Sequence, residues 1–264
     1  MVVVAAVFSI LILFSFLPII FSIKGIGNLN KLFLIVSILS FGSAWFSSSF
    51  SAENKKPNSI SYGYLTEEGK AFWLTYDDQI DSFTEQFLGD DYQQGGVHSK
   101  SHSLDLFSYA TMHHEAPPVN FNATDIIVLR DTIMEGYRQM TVKLKPNRKI
   151  NRIDLITQNP IEILDLRVNE QQIVIEDVNS SLSLKKDQVL FQYFFTQADE
   201  ELELVLKVQN DHDPSLITLE YSFDLLSNPL IRSIIPELKL RDPWQMPKPF
   251  TSNDAILVKT EINF

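Results

Sequence analysis

Two long apolar runs open the chain, and short alternating segments fill most of the remainder. Met1–Ile23 is 23 residues without a charge, and Leu32–Phe50 is 19 more. About 20 apolar residues in helical form cross a hydrocarbon core of roughly 30 Å, so each run predicts a transmembrane helix. Pro18 lies in the first run, where it kinks a span without excluding it. In the second, Ser37, Ser40 and Ala44 form a small-residue stripe suited to packing on another helix. Trp45 and Phe46 fall near its end, where interfacial aromatics gather.

The connection from Lys24 to Lys31 is read as a short loop, and it carries the only two charges among residues 1–52. Basic loops stay on the cytoplasmic side, which places everything after Ala52 on the non-cytoplasmic side, in a periplasm or an organelle lumen. A cleaved signal peptide is the competing reading, and Ser49-Phe-Ser-Ala52 has the small residues of a cleavage site. Such a peptide needs a basic start and one short apolar block. This chain opens Met1-Val-Val-Val-Ala and has two long blocks, so residues 1–52 are predicted to be a transmembrane hairpin. The bare apolar start also suggests the last spans of a longer membrane region.

From residue 53 the period changes. Ser59–Leu65 and Ala71–Tyr76 read as two strands joined through Thr66-Glu-Glu-Gly-Lys70, a hairpin with glycine at the turn. Ile80, Phe83, Phe87 and Leu88 approach helical spacing, which predicts a short helix over Gln79–Leu88 that stops at Gly89. Residues 89–123 are polar, with Gly95-Gly96, four histidines and Pro117-Pro118, and read as a long surface loop. Strands are then predicted at 124–133, 137–144, 150–157, 161–168, 171–178, 189–195, 200–208, 216–225 and 255–262. Alternation is plain in Met140-Thr-Val-Lys-Leu-Lys145. A second short helix is predicted within Ser227–Arg241, followed by an extended proline-rich tail. The predicted fold is two transmembrane helices followed by a mainly β domain at 53–264, an antiparallel β-sandwich or jelly-roll-like barrel with one or two short helices.

Charge sharpens the division. The net charge of the chain is −11, and residues 53–264 hold 20 Lys/Arg against 33 Asp/Glu, a net of −13. A nucleic-acid partner needs a basic face, so none is expected. The chain has no cysteine, which removes disulfides, cysteine metal sites and thiol catalysis together.

Candidate chemistry is sparse. His98, His102, His113 and His114 lie in the 89–123 segment with Glu115 beside them. His98 and His102 have i,i+4 spacing, which on a helix puts both on one face for a metal. The surrounding serines and glycines do not predict that helix, and His-Glu-x-x-His is absent, so solvated histidines are favoured and no metal site is assigned. Trp73, Tyr76 and Trp244 are candidates to line a peptide or carbohydrate groove, with core packing the favoured alternative. Asp211-His212-Asp213-Pro214 reads as a turn. Asn122-Ala-Thr124 and Asn179-Ser-Ser181 fit the N-glycosylation pattern. No Gly-x-Ser-x-Gly elbow or glycine-rich phosphate loop occurs, and no catalytic residue is assigned.

Three stretches carry a resemblance. They are Pro57-Asn-Ser-Ile-Ser-Tyr-Gly-Tyr64 with Gly69-Lys-Ala-Phe-Trp-Leu-Thr-Tyr-Asp77; Phe83-Thr-Glu-Gln-Phe-Leu-Gly89; and Met246-Pro-Lys-Pro-Phe250 with Asp254-Ala-Ile-Leu-Val258. With the paired apolar runs, these stretches resemble the C-terminal part of membrane-bound zinc aminopeptidases, the group that includes endoplasmic-reticulum metallopeptidase and vacuolar membrane protease. The resemblance covers most of residues 30–264. It implies a β-rich non-cytoplasmic domain that follows a peptidase domain and a multi-span membrane region. The family's di-zinc ligand set has no counterpart here, because Asp211-His212-Asp213 lacks the His-x-Asp spacing. Zinc is therefore expected only in a peptidase domain, joined in cis or in trans, and not in this chain. The implied role is a non-catalytic accessory domain supporting assembly or substrate access. The alternative is an independent envelope-anchored module that binds a peptide or glycan.

Overall fold

The computed structural model describes residues 27–47, 50–97, 107, 109–173, 181–197, 200–209 and 213–264. Two compact units divide the chain, residues 1–54 and 55–264.

In the first unit, helix α1 spans Gly27–Ser47, 21 residues. Its apolar side chains are exposed around the whole circumference, including Leu34, Ile38, Leu39, Phe41 and Trp45. The Ser43 hydroxyl bonds back to the Ser40 carbonyl within the helix. The loop expected through Lys31 is corrected, because residues 27–31 form the first turn of α1. No proline interrupts this run, so helical hydrogen bonding extends upstream of the apolar stretch. That first turn is polar. Among the described residues, no helix is long and apolar enough to cross a membrane. The first expected span, Met1–Ile23, lies outside the described residues.

The second unit is mainly β. Its strands are β1 (Lys56–Asn58), β2 (Ser61–Leu65), β3 (Lys70–Thr75), β4 (Gln93–Gln94), β5 (Met112–Ala116), β6 (Asp125–Met134), β7 (Tyr137–Lys145) and β8 (Arg152–Thr157). There follow β9 (Ile161–Val168), β10 (Gln171–Gln172), β11 (Leu182–Leu184), β12 (Val189–Phe194), β13 (Leu202–Gln209), β14 (Ser215–Ser222), β15 (Gln245–Pro247) and β16 (Ala255–Asn263). Two short helices, α2 (Glu85–Leu88) and α3 (Pro229–Ile234), interrupt them. Asn228 caps α3, its side chain accepting from the Leu230 backbone N–H, and Pro229 takes the first helical position.

An eight-stranded sheet has the order β12-β8-β14-β16-β2-β3-β5-β4, and a six-stranded sheet runs β10-β9-β13-β7-β6 with β11 also on β9. All pairings are antiparallel except β16 on β2 and β1 on β15. The mainly β, sandwich-like domain expected from the sequence is thus present, with parallel pairing at these two places. The last strand returns beside the first hairpin and runs in the same direction, so the two ends of the domain share one sheet.

Alternation along each strand sorts the core. Met140, Val142 and Leu144 of β7, Leu202, Leu204 and Leu206 of β13, and Ile153 and Leu155 of β8 fill the space between the two sheets. The other half of the same face of the eight-stranded sheet carries Tyr62, Trp73, Ile256 and Val258, covered by Phe83, Phe87 and Ile231 from the helical segments. The reverse face holds Leu65, Leu74, Leu219 and Leu257, with Val97, Phe107 and Ala110 packed over them. Gly63 permits that cover: a Cβ there would lie 2.8 Å from the Phe107 ring.

Several boundaries shift. The segment 89–123 is not wholly irregular, because β4, β5 and an isolated bridge between Val97 and Phe107 tie parts of it to the sheet edge. The helix expected over Gln79–Leu88 contracts to Glu85–Leu88. Asp81 caps a preceding turn by accepting from the backbone of Phe83 and Thr84. The helix expected within Ser227–Arg241 contracts to α3. Of the strand expected over 171–178, Gln171–Gln172 is formed and residues 174–180 lie outside the described set.

Candidate functional site

Two of the four candidate metal ligands, His113 and His114, are among the described residues. His98 and His102 lie outside the described residues. His113 and His114 are consecutive on β5, so their side chains leave opposite faces of the sheet. The His113 ring is 2.7 Å from the Gly95 carbonyl through Nδ1 and packs edge-on against Phe72. Among the described residues, no group of three or more His, Asp or Glu side chains is placed to hold a metal ion.

The candidate aromatics all lie within the described residues. Trp73 is 3 % exposed and packs against Tyr62 and Phe87, with ring centroids 5.0 and 5.1 Å away. Burial raises the phenol pKa of Tyr76, and the backbone carbonyl of Tyr76 accepts a hydrogen bond from Lys248. Trp244 is half-buried, and its carbonyl accepts from the Lys56 N–H at 2.8 Å.

What the fold does assemble is a junction between the start and the end of the β domain. Strands β1 and β15 pair with Pro57 opposite Met246. Arg241 binds Asp254 through two hydrogen bonds of 2.7 and 2.8 Å, and donates a third to Asn58 at 2.6 Å. Its guanidinium lies 4.2 Å from the centre of the Phe83 ring. Asn58 in turn donates to Asp81, which also pairs with Lys56 at 3.2 Å. Burial opposes the ionisation of Asp81. Bonds from Asn58, the Thr84 backbone and Lys56 outweigh it and hold the carboxyl below its ordinary pKa. A few residues away, Asp77 accepts from the Ser59 backbone and hydroxyl and pairs with Lys248 at 3.2 Å. Asn58, Ser59, Asp77, Lys248 and Asp254 belong to the stretches quoted above, whereas Lys56, Asp81 and Arg241, which link to them, lie outside those stretches.

A second cluster is buried between the two halves of the core. Glu220 is fully buried on β14. It accepts from the Thr124 N–H at 2.7 Å and pairs with Arg148 at 3.2 Å. Arg148 also donates to Ser222 and packs over Phe121. Burial pushes the Glu220 carboxyl above its ordinary value against the pull of Arg148, and pushes Arg148 below its own against the pull of Glu220. Desolvation therefore exceeds the attraction of the pair for both partners. A lone acid in Leu216-Ile-Thr-Leu-Glu-Tyr221 was a legible signal for this position, whereas Arg148 lies in a polar turn and gave none. Arg241 and Asp254 gave none either, since nothing local marks two surface-type residues as partners.

One surface cleft is deep enough for a small ligand. It has a volume of about 370 Å³ and lies where the β8–β9 turn, β11 and the ends of β13 and β14 meet. Asn159, Glu162, Ser183 and Gln209 supply its polar groups, and Pro160 and Pro214 its apolar walls. Nearby, Arg138 bridges Asp131 and Asp213 at 2.7 and 2.6 Å; Asp211 and His212 of the expected turn lie outside the described residues.

The chain matches no family model and no curated protein.

Proposed function

We propose that this chain is a non-catalytic, membrane-anchored accessory module of a membrane zinc aminopeptidase, acting on assembly or substrate access rather than on the peptide bond. One observation supports this reading most. Parts of the stretches that carry the resemblance, Pro57–Tyr64, Gly69–Asp77, Phe83–Gly89, Met246–Phe250 and Asp254–Val258, adjoin one another where the tail of the domain meets its first hairpin. Groups spent on fastening a fold are those of a scaffold, because a catalytic carboxylate or lysine must remain able to meet a substrate. The apolar exposure around α1 supports anchoring in a bilayer, since a helix apolar on every side needs an apolar surrounding. The sequence of the upstream apolar run Met1–Ile23 supports a second membrane element, and Lys24 and Lys31 between the two runs favour a non-cytoplasmic β domain. Zinc belongs to the peptidase partner.

The test is reciprocal co-purification of the full chain, in mild detergent, with a zinc peptidase domain expressed beside it. Co-elution at a fixed stoichiometry that survives high salt supports the reading. Independent elution of the two proteins contradicts it.

A further inference from the structure

We infer that the cleft between the β8–β9 turn and the ends of β13 and β14 is a binding site for a neutral saccharide, a role independent of the accessory one. Its volume of about 370 Å³ lies at the lower end of the roughly 300–1,000 Å³ typical of ligand pockets. Among the described residues its walls hold no Lys or Arg, and Glu162 contributes a negative charge. Phosphates, carboxylates and acidic sugars are therefore disfavoured. Among the described residues, a cationic ligand would find one carboxylate, already engaged by the Ser181 hydroxyl at 2.8 Å.

The remaining polar groups suit hydroxyls. Asn159 is committed to the fold, donating to the Asp213 carbonyl at 2.9 Å and accepting from the Ser215 N–H at 3.1 Å, which makes it a rigid rim. The Ser183 hydroxyl, the Gln209 amide and the second Glu162 oxygen remain available among the described residues. A hydroxyl both donates and accepts, so it pairs with each of these three group types, whereas a carboxylate ligand can only accept. Pro160 is exposed and Pro214 forms a buried wall, giving apolar surface for the C–H faces of a sugar ring. Asn159 and Pro160 sit in the β8–β9 turn held by the hydrogen bonds just named, while Glu162, Ser183 and Gln209 are fixed by the strand pairing of β9, β11 and β13, so little ordering is needed on binding.

The experiment uses the full chain in detergent. It is screened against maltose, cellobiose, chitobiose and their longer oligomers, with isothermal titration of the best binder. Gln209→Ala and Ser183→Ala alter exposed side chains and are expected to leave the melting temperature unchanged. Each is expected to weaken saccharide binding at least tenfold, while His113→Ala binds as the parent does. Three results would overturn the inference: no neutral saccharide saturating the protein, cleft variants that bind like the parent, or a lysine-rich peptide that binds in preference and is lost only with Glu162→Gln.

Discussion

Arg241 and Asp254 close the β domain on itself. The fork of the guanidinium meets both oxygens of the carboxylate, and the Arg241 side chain is only 9 % exposed. Arg241→Ala leaves Asp254 and Asn58 without this partner. Removing one side of a largely buried pair costs about 3 kcal/mol or more. Thermal unfolding in detergent should show a lowered midpoint, and Arg241→Lys should recover only part of it because a lysine cannot form the bidentate bond. An unchanged midpoint for Arg241→Ala would remove the junction from the account of stability.

Tyr62 does more than fill the core. Its hydroxyl donates to the Pro117 carbonyl and accepts from the Val119 N–H, both at 2.8 Å. Tyr62→Phe keeps the ring and strands both backbone groups, at about 1–3 kcal/mol. Burial raises the phenol to about 12, against the pull of the Val119 bond. The folded value exceeds the unfolded 10.0, so the fold favours the protonated phenol. This stabilisation is complete below pH 10 and fades as the pH rises through 12. Ultraviolet titration of the parent against Tyr62→Phe should show one late-ionising tyrosine missing from the variant.

Glu220 predicts a slope of the opposite kind from an ordinary salt-bridged acid. Its folded pKa is raised above 4.5 by burial, so the folded state holds a proton that the unfolded chain has released. Its contribution to stability therefore falls as pH rises from 4.5 through the folded value. Glu220→Gln is neutral throughout. Melting temperatures of the two proteins should be close at pH 4, with the parent losing ground to the variant toward pH 8. A parent that gains ground with rising pH would mean that Arg148 outweighs desolvation after all.

Gly63→Ala tests the cover over the reverse face of the sheet. The added methyl meets Phe107 at 2.8 Å and Leu74 at 3.0 Å. Overpacking of this kind costs about 1–3 kcal/mol. Hydrogen exchange should speed at Val97, whose N–H bonds the Phe107 carbonyl, before it changes in the sandwich core.

The sequence made the strands of the sandwich legible because period-2 alternation in β7 and β13 is a local property with one buried face. It was less informative where burial covers both faces, as in β2 and β14, since an apolar run then carries no period. The parallel return of β16 beside β2 had no local signal, because the two strands are separated by almost the whole domain. The histidine-rich segment misled in part. Met112–Ala116 contains two histidines and a glutamate and looks like loop, yet it pairs with β3, where its backbone rather than its side chains fixes the register. The cleft was invisible for a similar reason, since Glu162, Ser183 and Gln209 come together only through the pairing of β9 with β11 and β13.

The proposed accessory role predicts that this chain alters a zinc aminopeptidase without performing its chemistry. Release of amino acids from aminoacyl-p-nitroanilides, measured with the full chain alone, with the peptidase domain alone and with both, tests it most directly. The account predicts no activity from the chain alone with or without added zinc, and a changed KM or thermal half-life of the peptidase domain when the chain is present. Turnover by the purified chain alone that vanishes on chelation, or a peptidase domain indifferent to the chain in every measured parameter, would contradict it.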